Sequence, residues 1–271
     1  MRLAVSHRTV FEFDQPSGYS IHDVRLTPKP ANGQRVLAWR IDGPGNRADW
    51  TDGHGNAVTT FSTTRPHARV EIVVEGVYEV SDAGAWLQYA EAPTLPPSFW
   101  LRNFGQARHD ASFDPLVATL GKETPASGQV AALHALMRRV CEAVSYRRDV
   151  STVDTSAIEA LRLGAGVAQD QAHVFIAACR RAGVPARYVS GYLRNDDASL
   201  HVGRTSHSWA EAWIGELGWV GFDPANEISP RGDHLKVAIG TDYRDASPVA
   251  GRRIGFGEAK MSVDAEVRRI D

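Results

Sequence analysis

A predicted helix that is followed directly by strand-like runs is the feature of this sequence that most constrains its fold. The run AQDQAHVFIAACRRA, which begins at Ala168, predicts a helix. Its predicted end carries four typical stop signals, two basic residues, a glycine and a proline: Arg180, Arg181, Gly183 and Pro185. Three strand-like runs follow, at 186–193, 207–214 and 219–223. A tight GELG turn joins the last two runs, so the sequence predicts an antiparallel hairpin beside the helix.

The first part of the chain has a different character. Residues 1–115 are rich in strand-like runs, such as RLAVSHRTVFEF, QRVLAWRIDG and ARVEIVVEGVYEV, which Gly- and Pro-containing turns separate. Helical spacing begins only at Ser127, and Ser156 with Glu159 predicts a capping box for a second helix. We therefore predict an α+β protein with an N-terminal antiparallel β domain over 1–115. The core follows over 116–271, and its last strand, KMSVDAEVRRI, returns to a sheet.

Charge and hydropathy exclude several classes of partner. Thirty Lys+Arg face thirty-two Asp+Glu, and this balance lacks the basic excess that nucleic acid or an anionic membrane requires. No apolar run is long enough for a membrane span or a signal peptide, so we expect a cytoplasmic protein. Cys141 and Cys179 lie within helical patterns, which suits a reducing compartment.

Three positions are arranged as a catalytic triad requires. Residue 168 lies at a helix N-terminus, where unpaired N–H groups favour a thiolate. His207 opens one strand and is suited to act as general base and acid. Asp223 closes the neighbouring strand and could fix the imidazole tautomer. No HExxH or CxxC motif is present, so we predict neither a metal site nor a cofactor.

Further candidates surround these three positions. The N–H of residue 168 would serve an oxyanion hole, and Gln169 is a candidate second donor. Strand geometry places Trp209 and Glu211 on the face of His207. Tryptophans that alternate along a strand are more often core than substrate platform. For Glu211, a buried structural acid and a substrate contact both remain open.

Two polar residues inside the helix have structural interpretations. We interpret Asp170 as complementing the helix N-terminus and His173 as a hydrogen-bonded packing residue. Their spacing of three residues could otherwise indicate a metal pair, but no further ligands complete it.

The segments GVAQDQAHVFIAACRRAGVPARYVSGYL and TSHSWAEAWIGELGWVGFDPAN resemble the bacterial transglutaminase-like superfamily, in which the first segment normally reads GVCQD. The stretches IHDVRLTPKPANGQRVLAWRI, DGHGNAVTTF and RPHARVEIVV are similar to the β lobe that precedes this core. The resemblance implies a papain-like core whose Cys-His-Asp triad falls on Ala168, His207 and Asp223. Two positions match and one departs.

The departure at Ala168 removes the nucleophile, so the resemblance implies an inactive chain. Cys179 cannot replace the missing thiol, because eleven residues at about 1.5 Å each place it roughly 16 Å along the helix. An engineered Cys-to-Ala substitution and a natural pseudoenzyme both explain the alanine. We favour the engineered substitution, because Gly166, Gln169 and Asp170 keep the active pattern.

By this resemblance the family chemistry is thiol acyl transfer, and we expect a peptidase or amidohydrolase that cleaves an amide or isopeptide bond in a peptide or amide substrate. A transamidating, cross-linking enzyme is one alternative, although no sequence feature indicates a site that excludes water. A peptide-binding module without activity is the other. A serine or metal hydrolase lacks GxSxG and a ligand set.

Overall fold

A computed structural model describes residues 1–31, 33–81, 94–118, 120, 126–194 and 206–271 of the chain. Residues 119 and 121–125, which follow the predicted domain boundary, lie outside the described residues. None of the described helices is both long and apolar enough to cross a membrane.

The first part of the chain forms antiparallel strands, as its alternating pattern predicts. These strands are β1 Arg2–Ser17, β2 Tyr19–Val24, β3 Gln34–Asp42, β4 Asn46–Thr51, β5 Ala57–Thr63 and β6 His67–Val80. In β1 the apolar side chains at alternate positions, such as Leu3 and Val5, are buried, whereas Arg2 and Ser6 are exposed. Burial of one face in this way fixes the register between strands.

The second part of the chain supplies the helices and a further sheet. Its elements are α1 Asp114–Val117, α2 Ala126–Ala143, β7 Ser145–Tyr146, α3 Ala157–Leu163, β8 Ala165–Gly166, α4 Ala168–Arg181, β9 Ala186–Leu193, β10 His207–Ile214, β11 Gly218–Phe222, β12 His234–Gly240, β13 Val249–Ile254 and β14 Ala259–Arg269. The helix predicted from Ala168, the hairpin of β10 and β11 and the capping box of Ser156 with Glu159 are confirmed. Strand β12 has no counterpart among the strand-like runs predicted from the sequence.

Within the described residues, the strands assemble into three four-stranded sheets and one parallel pair, β7 with β8. The core sheet has the order β11-β10-β9-β12, and each neighbouring pair is antiparallel. The two other four-stranded sheets have the orders β14-β1-β6-β3 and β13-β2-β5-β4. The last two strands of the chain thus complete the sheets that the first strands begin. The mixed architecture confirms the predicted α+β class, while the division at residue 115 stays a prediction.

Helix α4 packs on the core sheet against β9 and β10. Ala210 and Ala212 of β10 are fully buried on the helix side, where their small side chains let the helix approach closely. On the opposite face Trp209 is fully buried with Val189 and Trp100. Both faces of β10 are therefore covered, and this fixes the position of the strand's first residue relative to the start of α4.

His173 inside α4 provides a test of the core by pH. The backbone N–H of Tyr243 donates to His173 Nε2 at 3.0 Å, which confirms the predicted hydrogen-bonded packing role. Burial lowers the pKa of His173 to about 3. The unfolded chain therefore binds a proton near pH 6.5 that the folded chain excludes, and stability is lost as the pH falls from about 6.5 toward 3.

We expect the titration of His173 to lower the free energy of unfolding by roughly 3 kcal/mol between pH 7 and pH 4. Urea unfolding at each pH measures this change. In His173→Gln the amide oxygen can still accept from Tyr243, but the side chain cannot titrate. The variant's stability should decline less steeply over this range. The unchanged chain is the control, because its other groups titrate in both proteins. Parallel curves would contradict the expectation.

Candidate active site

His207 and Asp223 meet because β10 and β11 form a hairpin. Ala210 pairs with Phe222, so the end of β11 lies beside the start of β10. His207 Nε2 lies 2.8 Å from Asp223 Oδ2, and both residues are buried. An ionised carboxylate only accepts, so Nε2 carries the proton and Nδ1 is left as the basic nitrogen. The imidazole is thus held by a carboxylate and keeps one basic nitrogen free of that contact.

The electrostatics of Asp223 favour its charged form. Burial by itself would raise the pKa of this carboxyl group. The charge and hydrogen bond of His207, together with the hydrogen bond of His234, outweigh burial and hold the pKa well below its ordinary value. The carboxylate is therefore ionised at neutral pH and able to orient the imidazole.

Ala168 is the first residue of α4, and a side chain from the same turn fixes the geometry there. Asp170 Oδ2 accepts the backbone N–H of Val167 at 2.7 Å and the hydroxyl of Ser151 at 2.6 Å. The predicted role of Asp170 at the helix N-terminus is thus confirmed. The N–H groups of Ala168 and Gln169 belong to the first turn and have no partner within the helix, so they can bind an anion.

Ala168 and His207 line one pocket of about 580 Å³. Its wall includes Tyr146, Tyr243 and Asp264 of β14, a strand that pairs with β1. Many of the other lining groups are hydroxyls or charged side chains. The pocket therefore suits a polar substrate and has the helix N-terminus and the imidazole at its surface.

The further candidate residues are distributed unequally around this pocket. Gln169 lines it, and its side-chain amide donates to the carbonyl of Val153 at 3.2 Å. Trp209 is fully buried and stacks on His207 with ring centroids 6.1 Å apart. Glu211 is also fully buried. Neither Trp209 nor Glu211 belongs to the pocket wall.

Glu211 is the centre of a buried ion cluster. Arg187 Nε donates to Glu211 Oε2 at 2.7 Å, and Lys236 Nζ lies 3.1 Å from Oε1. Burial raises the pKa of Glu211, but the two cations outweigh burial and lower it overall. Trp219 covers the Arg187 guanidinium at 4.1 Å from the ring centroid. Of the two roles left open for Glu211, this geometry favours the structural acid.

Two residues outside the predicted triad also bind Asp223. Asn226 Nδ2 donates to Asp223 Oδ2 at 2.7 Å, and His234 Nε2 lies 3.2 Å from the same oxygen. His234 opens β12, as His207 opens β10. A histidine at the start of the apolar run HLKVAIG is the one signal in the sequence that could have indicated it.

His207, Asp223 and His234 also form a group of possible metal ligands among the described residues. Their donor atoms lie within 4.8 Å of one another. Two imidazoles and a carboxylate are donors that zinc accepts. In this arrangement, however, both imidazoles are hydrogen-bonded to the same carboxylate oxygen. Hydrogen bonds therefore account for the contacts within this group.

Gly191 provides a test of the packing around Trp209. A Cβ atom at this position would overlap the Trp209 ring and the carbonyl oxygen of Leu235. We expect Gly191→Ala to lower the free energy of unfolding by about 1–3 kcal/mol, as overpacking of a core does. Urea denaturation followed by tryptophan fluorescence measures the change.

The matched control for this substitution is Gly18→Ala. No atom lies within 4 Å of a Cβ built at Gly18. We expect this control to unfold at nearly the same urea concentration as the unchanged chain. Equal midpoints for Gly191→Ala and the control would show that Trp209 has room to move.

Comparisons with known protein families agree with this architecture. The family model of the transglutaminase-like superfamily matches residues 116–224, which contain Ala168, His207 and Asp223. The family model of the bacterial transglutaminase-like N-terminal region matches residues 3–79. The second match covers the region of β1 to β6, and the first covers the region from α2 to β11.

Sequence matches to individual relatives cover nearly the whole chain. The uncharacterized protein ML0607 of Mycobacterium leprae is 29% identical over 99% of this chain and 99% of its own. The uncharacterized protein Rv2569c of Mycobacterium tuberculosis is 31% identical over 92% of this chain and 87% of its own. A crystal structure from Cytophaga hutchinsonii, provisionally named a cysteine protease, superposes with a TM-score of 0.75 at 19% identity. That superposition covers 100% of this chain and 92% of the other, and it shows a shared fold.

Proposed function

Since the chain belongs to the transglutaminase-like superfamily, we propose that its pocket is the site of a cysteine peptidase or amidohydrolase that cleaves an amide or isopeptide bond. The observation that carries the proposal is the pairing of His207 with Asp223 at the pocket that also contains the first residue of α4. In this arrangement a thiol at position 168 would adjoin both a base and unpaired N–H groups.

The reaction follows from these positions when residue 168 is cysteine. His207 Nδ1 takes the thiol proton, and the thiolate attacks the amide carbonyl. The N–H of residue 168 stabilises the oxyanion, and His207 then gives its proton to the departing amine. Water, activated by the same imidazole, attacks the thioester and releases the acid and the thiol. Asp223 keeps the imidazole oriented through both stages.

In the chain as it stands, Ala168 supplies the backbone N–H but no attacking group. We therefore propose that it binds its substrate without cleaving it. The retained neighbours Gly166, Gln169 and Asp170 favour an introduced Cys-to-Ala substitution over natural loss. Sequencing of the genomic copy tests this point, because a cysteine codon at position 168 supports substitution and an alanine codon contradicts it.

The second candidate is a natural pseudoenzyme that acts as a peptide-binding module, and Ala168 is the observation that favours it. Transamidation remains a third outcome, in which an amine replaces water in the attack on the thioester. The polar pocket wall favours hydrolysis, because such a wall admits water.

Ala168→Cys tests the enzyme proposal. We expect this variant to cleave at least one member of a diverse library of peptides and isopeptides, with a covalent thioester adduct visible by mass spectrometry. Adding a primary amine separates hydrolysis from transamidation by the mass of the product. His207→Ala in the same background is the control and should lose cleavage. Absence of both adduct and cleavage across the library would support the binding module instead.

A further inference from the structure

We propose that His234 is a positioning residue, which holds the Asp223 carboxylate so that His207 directs Nδ1 toward the pocket. The effect on catalysis rests on the proposed function. The hydrogen bonds to the two carboxylate oxygens of Asp223 are unequal in number. Three side chains donate to Oδ2, namely His207 at 2.8 Å, Asn226 at 2.7 Å and His234 at 3.2 Å. None of the described residues donates to Oδ1.

The protonation of His234 follows from its two contacts. The backbone N–H of Arg231 donates to His234 Nδ1 at 3.3 Å. A backbone N–H can only donate, so Nδ1 carries no proton and the proton of the neutral ring is on Nε2. His234 therefore donates to Asp223 as a neutral group. Burial also lowers the pKa of His234, which favours the same neutral form.

His234 approaches Asp223 from a different strand than His207 does. It opens β12, which lies on the opposite side of β9 from β10. Trp209 contacts both imidazoles: it stacks on His207, and it lies edge-on to His234 with ring centroids 5.3 Å apart. The side chain of Gln34 donates to the carbonyl of His234 at 2.7 Å. The backbone of His234 is thus held by a residue outside the hairpin that carries His207 and Asp223.

Asp223 needs such support because its own segment is a tight turn. Its backbone N–H donates to the carbonyl of Ile228 at 2.9 Å, and Glu227 adopts a left-handed φ of 55°. This turn fixes the backbone but not the rotation of the carboxyl group. Donors from Asn226 and His234 on one oxygen restrict that rotation.

The role of His234 is one of positioning, because it does not reach the substrate. His234 is fully buried and does not belong to the pocket wall that includes His207. Its effect on a reaction must pass through Asp223 and then through the orientation of His207. A loss of this support should lower kcat while leaving KM nearly unchanged.

Three variants separate the effect of the hydrogen bond from the effect of side-chain volume. His234→Gln keeps an N–H donor near the position of the imidazole Nε2. His234→Leu has a similar volume but no donor. His234→Asn is polar but too short to reach Asp223, and it serves as a second variant without the bond if His234→Leu does not fold. Thermal unfolding establishes which variants are folded.

The first measurement uses the chain as it exists, with alanine at position 168. Nitrogen-15 NMR of labelled histidines reports the tautomer of His207. We expect the Nε2–H tautomer alone in the unchanged chain and in His234→Gln, and a mixture in His234→Leu or His234→Asn. An unchanged His207 spectrum in the folded variants without the donor would overturn the proposal.

The second measurement repeats the series in the Ala168→Cys background. We expect the variants without the donor to lose about 10- to 100-fold in kcat, with KM within about twofold, and His234→Gln to recover most of the loss. Equal losses of kcat in His234→Gln and His234→Leu would overturn the positioning role. If Ala168→Cys cleaves nothing, the proposed function fails, but the NMR result still decides whether His234 orients His207.

A metal ion is the competing explanation for this cluster. Zinc titrated into the purified chain should give no stoichiometric binding that depends on His234, as measured by calorimetry. Binding of one zinc ion that is lost in both His234→Gln and Asp223→Asn would identify a metal site and overturn the positioning role.

Discussion

An Ala168→Cys variant is expected to carry a thiol at position 168 that iodoacetamide alkylates at least about 100 times faster than Cys141 or Cys179. Alkylation proceeds through the thiolate, which the helix N-terminus and the His207 imidazole favour at position 168. Burial raises the pKa of Cys141 to about 12 and raises that of Cys179 still further. The two native thiols should therefore stay largely unmodified.

Peptide mapping by mass spectrometry after timed alkylation measures all three rates in one sample. His207→Ala in the same background is the control, and it should slow alkylation at position 168 by about tenfold or more, since the base is lost. The native thiols then serve as internal references. A thiol at position 168 that reacts as slowly as Cys179 would contradict the arrangement of α4 and His207 at one pocket.

Glu211→Ala is expected to lower the free energy of unfolding by about 3–5 kcal/mol, the cost of breaking a buried ion cluster from one side. The substitution leaves the cations of Arg187 and Lys236 buried without their carboxylate. Side-chain exposure is 4% for Arg187 and 0% for both Glu211 and Lys236, so water cannot replace it. Urea denaturation followed by tryptophan fluorescence measures the loss.

The matched control is Glu79→Ala at the surface. Glu79 also pairs with two cations, Arg2 and Arg35, but their side chains are 55% and 71% exposed. Water can solvate them after the substitution, so the unfolding midpoint should hardly change. If Glu79→Ala and Glu211→Ala lower the free energy of unfolding equally, the buried cluster stabilises the protein no more than the surface pairs do.

Local sequence was sufficient to predict the elements that carry the candidate triad. The stop signals after Arg181 and the apolar run that precedes them predict α4, because a helix is specified by contacts three or four residues apart. The hairpin of β10 and β11 depends on a short turn. His207 and Asp223, sixteen residues apart, could therefore be predicted to meet.

Other parts of the site depend on contacts that local patterns do not encode. His234 reaches Asp223 from the far side of β9, and Arg187 and Lys236 converge on Glu211 from two further strands. Glu211 alternates with tryptophans on its strand, and this pattern is compatible with either a pocket or a core position. Only the partners in three dimensions distinguish the two.

The sequence by itself determined the α+β class, the start of α4 at Ala168 and the hairpin that joins His207 to Asp223, since each depends on neighbours close in the chain. The tertiary structure decided the rest. It placed β13 and β14 in the sheets of the first strands, buried Glu211 between two cations and brought His234 to the carboxylate. These contacts join residues far apart in sequence, where side-chain packing and the desolvation of charges, rather than local periodicity, determine which groups meet.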